Sequence, residues 1–191
     1  MDPISGILRN LVGAKTNTEL AAIEADLVAA RLIQLRDSVS IEPTRDLLEF
    51  QAIHRHLFGD IYPWAGQIRT TDLARPGNEP FCPVHLIERA AANTARELHD
   101  DASMQGLGHV DFVAKLSYYY DGFNHIHPFR EGNGRTQREF WNRVAADAGW
   151  FIDWSKVHGD QLNEASRIAR EFQDYKPLDS MFTGCVDPSS P

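Results

Sequence analysis

The chain has 191 residues, 42% of them hydrophobic and 24% charged, with a net charge of −8. That composition fits one globular domain with a full core, and its acidic balance excludes broad nucleic-acid binding through phosphate neutralisation. No apolar run reaches transmembrane length, and the start Met1-Asp-Pro-Ile-Ser lacks the basic and apolar regions of a secretory leader, so the expected setting is the cytoplasm, away from any membrane.

Taken in chain order, the pattern is mainly helical. Residues up to about Gly13 read as a loop with a short apolar turn. Thr16-Asn-Thr-Glu19 matches a capping box and opens a helix to about Arg36, with Leu20, Ile23, Leu27 and Ala30 on one face. Pro43 and Thr44 open a second helix carrying Leu47, Phe50, Ile53, His54 and Leu57. His54 and His56 read as packing or surface residues. From Ile61 to Pro83 the helical period stops. Gln67-Ile-Arg-Thr-Thr-Asp-Leu73, the turn signal Arg75-Pro-Gly-Asn78 and the return arm Glu79-Pro-Phe-Cys82 predict a small β-hairpin with an exposed edge. Such an edge suits an extended peptide added as a strand.

A helix is expected from about Val84 to His99, then a polar loop through Gly108. The next helix places Phe112, Leu116, Tyr119, Tyr120 and Phe123 at helical spacing, a stripe that reads as core. A further helix runs from Thr136 to Ala148, with Trp141, Val144, Ala145 and Ala148 on one face and Gly149 as its stop. Trp150 to Trp154 reads as an apolar connector. Ser155 or Asp160 begins a helix with Leu162, Ala165, Ile168, Ala169 and Phe172, and Pro177 to Phe182 starts a short last one. The tail 186–191 is expected to fray into disorder. Cys82 and Cys185 read as reduced thiols, and His125-Ile-His127 lacks the further ligands of a zinc site.

The densest chemistry lies in His127-Pro-Phe-Arg-Glu-Gly-Asn-Gly-Arg-Thr-Gln-Arg138. Gly132-Asn133-Gly134 permits positive φ at consecutive positions and can aim several N–H groups into one anion-binding concavity. A helix starting just after it adds its dipole. Arg135 and Arg138 share a face of the first turns, where they oppose the macrodipole unless an anion is bound. Arg130 and Arg143 extend this local basic exception in an acidic chain. Glu131 beside a phosphate site calls for a hard cation between the two, and Mg²⁺ accepts both kinds of oxygen. His127, fixed by Pro128, offers an imidazole base near neutral pH. The residues alone therefore give a phosphate site, a divalent metal and a base.

These residues resemble the signature of the Fic domain, His-x-Phe-x-Asp/Glu-Gly-Asn-Gly-Arg-x-x-Arg, which His127, Phe129, Glu131, Gly132, Asn133, Gly134, Arg135 and Arg138 meet at every fixed position. Asn124 is similar to the family's lead-in. Ile53 to Gly66 resembles the helix and Trp-Ala-Gly turn before the family's flap, and Gln105-Gly106-Leu107 resembles a loop near the nucleotide base. The resemblance implies a single Fic domain over 1–191, mainly α: a helical bundle around a central helix–loop–helix active site at 124–148, with a β-hairpin flap at about 66–82. It implies transfer of AMP from ATP to a Tyr, Thr or Ser hydroxyl of a protein.

Carried over residue by residue, the resemblance makes His127 the base and Glu131 the Mg²⁺ ligand. Asn133 with the amides of Gly132 and Gly134 would bind the α- and β-phosphates, Arg135 the β-phosphate side and Arg138 the γ-phosphate. Arg69, Thr70, Thr71 and Asp72 would line the flap where targets align. The family's inhibitory pattern, Ser/Thr-x-x-x-Glu-Gly/Asn, is met only imperfectly, by Ser38 to Glu42 followed by Pro43. That implies a small helical antitoxin in trans whose glutamate meets Arg138, and hence a bacterial toxin. By analogy its targets would be ATPase subunits of type II topoisomerases. The alternatives are a Fic-fold transferase of UMP, phosphocholine or phosphate, a hydrolase removing AMP, and a non-catalytic nucleotide-binding scaffold.

Overall fold

The computed structural model describes residues 6–74 and 79–189, and these form a mainly helical bundle around one aromatic core. Helix α1 (Asn17–Asp37) starts where the capping signal places it. The Thr16 hydroxyl accepts from the Glu19 N–H at 3.1 Å, and the Glu19 carboxylate accepts from the Lys15 N–H at 2.8 Å. Its inward face is Leu20, Glu24, Val28 and Leu35, rotated from the expected stripe, with Ile23 and Leu27 half-buried and Ala30 exposed. A carboxylate, Glu24, sits at the centre of that face.

Helix α2 (Leu47–Phe58) begins later than the Pro43 signal suggests. The Asp46 carboxylate accepts from the Leu48 and Glu49 N–H groups and so fixes the start. Helix α3 (Ile87–Asp100) follows a 3₁₀ turn at 84–86, and α4 (His109–Ile126) buries the expected aromatic stripe. Helix α5 (Asn133–Asp147) starts three residues earlier than its apolar pattern predicts. The three central helices meet through Phe50 of α2, whose ring lies 4.9 Å from Phe123 of α4 and 4.7 Å from Phe140 of α5. Beneath these rings the buried Glu49 carboxylate receives Arg45 at 2.8 Å and Arg143 at 2.6 Å, tying α2 to the far half of α5.

Two segments differ from their expected form. The 150–154 connector and the 186–188 part of the tail pair as an antiparallel sheet, β1 (Trp150–Ile152) with β2 (Val186–Pro188), in register Phe151 to Asp187. Bonds from the Asp153 N–H to the Cys185 carbonyl (2.7 Å) and from the Ser189 N–H to the Gly149 carbonyl (3.0 Å) extend it. Residues 190 and 191 lie outside the described residues. The sheet packs after α6 (Gly159–Phe172) and α7 (Lys176–Thr183), whose Leu162, Ala165, Ala169, Leu178 and Phe182 close the core. Phe172 is exposed and Ile168 half-buried, so the α6 stripe is narrower than its sequence suggests.

The expected hairpin at 66–82 is correct in path but not in pairing. Among the described residues its arms meet at a single bridge, Ala74 with Pro80, and at one bond from the Phe81 N–H to the Leu73 carbonyl. The turn 75–78 lies outside the described residues. Pro80 has no N–H to offer a ladder, and the first arm bonds instead to the loop after α4. Cys82 and Cys185 are both buried free thiols. Among the described residues no helix is long and apolar enough to cross a membrane.

Candidate active site

Helix α4 ends on His127, whose φ of 44° and ψ of 60° place it in the left-handed region. A non-glycine residue adopts this only when its surroundings over-determine it, and here they do. The His127 N–H bonds back to the Phe123 carbonyl, and its own carbonyl accepts from the Arg69 Nε at 2.9 Å. The imidazole stacks on Phe81 at 3.8 Å between centroids, with the planes 12° apart. Its Nδ1 lies 3.2 Å from the Asn124 carbonyl, an acceptor, so Nδ1 carries the hydrogen and the neutral ring presents Nε2 as the basic nitrogen.

The loop behind His127 is braced from three sides. Asn133 accepts from the Phe129 N–H at 2.9 Å and donates to the Phe129 carbonyl at 2.8 Å. Its side-chain amide therefore closes the loop on itself, while its backbone N–H opens α5. Gly132 has φ +81°, and a Cβ there would stand 2.6 Å from the Phe58 ring. Gly134 is helical, so the turn needs only one positive φ, not the consecutive pair expected.

His54 is the second brace, and the sequence reading undervalued it. It is fully buried, with its ring 4.6 Å from Phe58 and 3.9 Å from Phe129. Its Nδ1 accepts from the Gly66 N–H at 2.8 Å, and its Nε2 lies 3.0 Å from the Glu131 carbonyl and donates to it. This neutral tautomer is the stable one, since burial lowers its pKa to about 4. Arg69 is the third brace. Its guanidinium is buried and reaches the carbonyls of His127, Thr71 and Cys82, while its N–H donates to the Pro128 carbonyl at 2.8 Å. It was expected on the target-facing flap and is instead an interior tie between flap and loop. Asp72 accepts from the Val84 N–H at 2.8 Å and so helps to start the following turn. Thr70 and Thr71 are exposed.

These braces aim the start of α5. Its N-cap is Gly132, without a capping side chain, and no acidic residue stands in its first turn. The opening amides of Asn133, Gly134 and Arg135 thus lack intrahelical acceptors at the positive end of the dipole. A cavity of about 280 Å³ lies there, lined by Tyr120, Asn124, His127, Glu131, Gly132, Gly134, Arg135, Arg138, Gly159, Leu162 and Asn163. Gly134 lines the cavity, and a Cβ on it would meet nothing within 4 Å, so the space beside this first turn is open. Arg138 has no carboxylate partner among the described residues; its guanidinium lies over Trp154, 5.5 Å from the ring centroid. Arg135 sits over Phe58 at 4.8 Å and is shared between Glu24 of α1 at 2.5 Å and Glu131 at 3.5 Å.

Glu131 is exposed at the cavity edge and accepts from the Gly132 N–H at 2.9 Å. Among the described residues no cluster of three or more His, Cys, Asp or Glu could hold a metal ion by itself. The donor set fits a cation that takes one protein carboxylate and completes its shell with phosphate oxygens and water, as Mg²⁺ does. Gln105, Gly106 and Leu107 do not line the cavity. Gly159, Leu162 and Asn163 of α6 line it instead; sequence reasoning missed them because Leu162 reads as one more core position on an amphipathic helix. Glu24 was missed for the same reason, although a lone acid at the centre of an apolar helix face was a legible signal.

Residues 45–145 match the Fic/DOC family. The chain is 37% identical over 165 residues to protein adenylyltransferase VbhT of Bartonella schoenbuchensis, covering 86% of this chain and 34% of that protein. It thus spans about a third of that relative's length. It is 34% identical to the probable protein adenylyltransferase Fic of Escherichia coli, covering 84% of this chain and 78% of that one. Among solved structures it is similar to the N-terminal Fic domain of a cell filamentation protein of Bartonella quintana with bound ADP. That likeness has a TM-score of 0.92 and 26% identity, over 100% of this chain and 95% of that one.

Proposed function

The chain belongs to the Fic/DOC family, and from that premise we propose that it is a protein adenylyltransferase, moving AMP from ATP to a Tyr, Thr or Ser hydroxyl of another protein. The observation that carries the proposal is the convergence of the His127 imidazole, the uncapped start of α5, Arg135 and Arg138 on one cavity. In the reaction His127 Nε2 takes the proton of the acceptor hydroxyl. The oxygen attacks the α-phosphorus, the α–β anhydride bond breaks, and pyrophosphate leaves with the electron pair. The amides of Gly134 and Arg135 and the two guanidiniums hold the phosphates in line and stabilise the growing charge. Glu131 would hold Mg²⁺, which when bound neutralises charge on the departing pyrophosphate.

The relatives' names and the ADP-bound Fic domain support this reading over transfer of UMP, phosphocholine or phosphate. Labelled ATP tests it. Label passing to protein from [α-³²P]ATP and not from [γ-³²P]ATP is the expected outcome. Label from the γ-position alone would mean phosphate transfer, and no label on any protein would remove the transferase reading. ATPase subunits of type II topoisomerases are the first acceptors to examine by intact mass.

A second feature supports inhibition by a separate helical protein. Arg138 lacks a carboxylate among the described residues, and Trp154 beneath it continues into a groove of about 590 Å³ that includes Leu35, Ala146, Trp150, Phe151 and Ile152. Glu42 is exposed and makes no ion pair with Arg138. A synthetic helix carrying Ser-x-x-x-Glu-Gly should inhibit label transfer and lose that effect when its glutamate becomes alanine. No inhibition at saturating peptide would count against the antitoxin.

A further inference from the structure

A second concavity, about 440 Å³, lies on the other side of the signature loop, between the first flap arm and the segment before α1. Its walls carry Arg9, Trp64, Ile68, Thr70 and Arg130. The two guanidiniums come from distant parts of the sequence, yet neither has a carboxylate partner among the described residues, in a chain whose net charge is −8. Arginines 31, 36, 45, 69, 135, 143 and 167 form ion pairs; arginines 55, 89, 96, 138 and 170 form none among the described residues, and what sets Arg9 and Arg130 apart is that both line this groove. Unneutralised guanidiniums facing one groove in an acidic protein are a local field for an anionic partner.

The rest of the groove selects the form of that partner. The Trp64 indole is held by stacking on Tyr62 at 4.3 Å, giving a fixed aromatic wall. The Ile68 and Thr70 N–H groups have no backbone acceptor among the described residues, so the arm presents donors to an extended chain. The Arg69 N–H, between them, is tied to the Pro128 carbonyl, and Arg130 lies three residues beyond His127. A segment lying in the groove therefore runs alongside the catalytic loop. Two guanidiniums are too few to hold a nucleic acid against the charge of the whole chain.

We infer that this groove docks an acidic, extended segment of the protein target next to the hydroxyl that is modified, with Arg9 and Arg130 reading its carboxylates and Trp64 packing on its apolar face. The inference rests on the adenylyl-transfer reading for its purpose, but docking is measurable without catalysis. The probes are fluorescein-labelled peptides built around one tyrosine, identical except for Glu, Gln or Lys flanks, with a single-stranded oligonucleotide as a second polyanion. Fluorescence anisotropy should show the Glu-flanked peptide binding about tenfold tighter than the Gln-flanked one at low salt, with the difference shrinking as salt rises. In the double variant Arg9→Glu/Arg130→Glu the preference should invert toward the Lys-flanked peptide, with ATP binding and thermal midpoint retained.

Equal affinity for the Glu and Gln peptides, an acidic preference that survives the double variant, or tighter binding of the oligonucleotide would each overturn the inference. Absence of label from [α-³²P]ATP on any peptide or protein with the wild type would count against the transferase reading instead, leaving the anisotropy result to decide the groove.

Discussion

The two ends of α5 hold arginines in opposite ways. At the far end, Arg143 and Arg45 converge on the buried Glu49 carboxylate, Arg45 also meets Asp147, and Arg143 donates to the Ile41 carbonyl at 2.7 Å. Each cation there is surrounded by acceptors. At the near end Arg138 lies over an indole with no carboxylate partner among the described residues, and Arg135 pairs with the buried Glu24 of α1 and with Glu131 at the cavity edge. One helix thus carries arginines that the fold supplies with anions, Arg143 and Arg135, and one, Arg138, that it leaves without an anion among the described residues. The difference shows in partners rather than burial: a cation whose fold supplies its anion stabilises the fold, and one whose fold withholds it is kept for something that binds.

The largest expected effect lies at the near end. His127→Ala should lower AMP transfer by about a thousandfold, within the 10²–10⁴ range of general-base catalysis, with thermal midpoint and ATP affinity nearly unchanged. Retained transfer would remove the base role. At the far end, Glu49→Ala leaves two guanidiniums without their shared carboxylate and should cost about 3–5 kcal/mol in urea unfolding. A cost below about 1 kcal/mol, the range of an exposed pair, would erase the contrast between the two ends. Arg138→Ala should reduce kcat/KM for ATP by roughly tenfold to a hundredfold, the worth of a charge-assisted contact. Its stability should stay within about 0.5 kcal/mol of wild type, as for a surface change. A stability loss like that of Glu49→Ala would show Arg138 to be a structural cation after all.

Much of this contrast was legible before any coordinates. The helix start at Thr16, the buried stripe of α4 and the clustering of His127, Glu131, Arg135 and Arg138 follow from local rules of capping, period and anion binding, whereas α5 starts three residues before its apolar pattern does. What was not legible depends on partners distant in sequence. Arg130, Arg135, Arg138 and Arg143 read as one basic patch, yet the fold sends Arg143 to Glu49, Arg130 to the outer groove and only the middle two to the cavity. Asn133 reads as a phosphate ligand because its chemistry allows it, and only the position of Phe129 shows where its side-chain amide goes. Strand β1 is three residues long and finds its partner 36 residues later, at a tail whose composition signals fraying.

The effect that whole-protein curves show least concerns the brace rather than the cations. His54 is neutral in the folded state with a pKa of about 4, whereas the unfolded chain returns it to 6.5. Between those values the unfolded state binds the extra proton, so stability is present above pH 6.5 and is lost as pH falls toward 4, by up to about 3 kcal/mol. The whole-protein curve hides part of this. Burial raises Asp121 to about pH 6, and its folded carboxyl takes a proton before the unfolded one does, so the same acidification stabilises the fold through Asp121. The test is therefore a difference: urea midpoints of wild type and His54→Gln at pH 7, 5.5 and 4.5. Glutamine keeps a donor for the Glu131 carbonyl but cannot titrate, so the gap between the two proteins should narrow steadily on acidification. Protonated His54 also turns its Nδ1 from acceptor to donor against the Gly66 N–H, which removes the bond joining that turn to the signature loop. Because folded His54 takes its proton only near pH 4, AMP transfer by the wild type should lose this contribution near pH 4, at the lower end of the range over which the stability advantage fades. Parallel stability curves for the two proteins would mean that His54 does not titrate with folding, and that the loop is held by its other two braces alone.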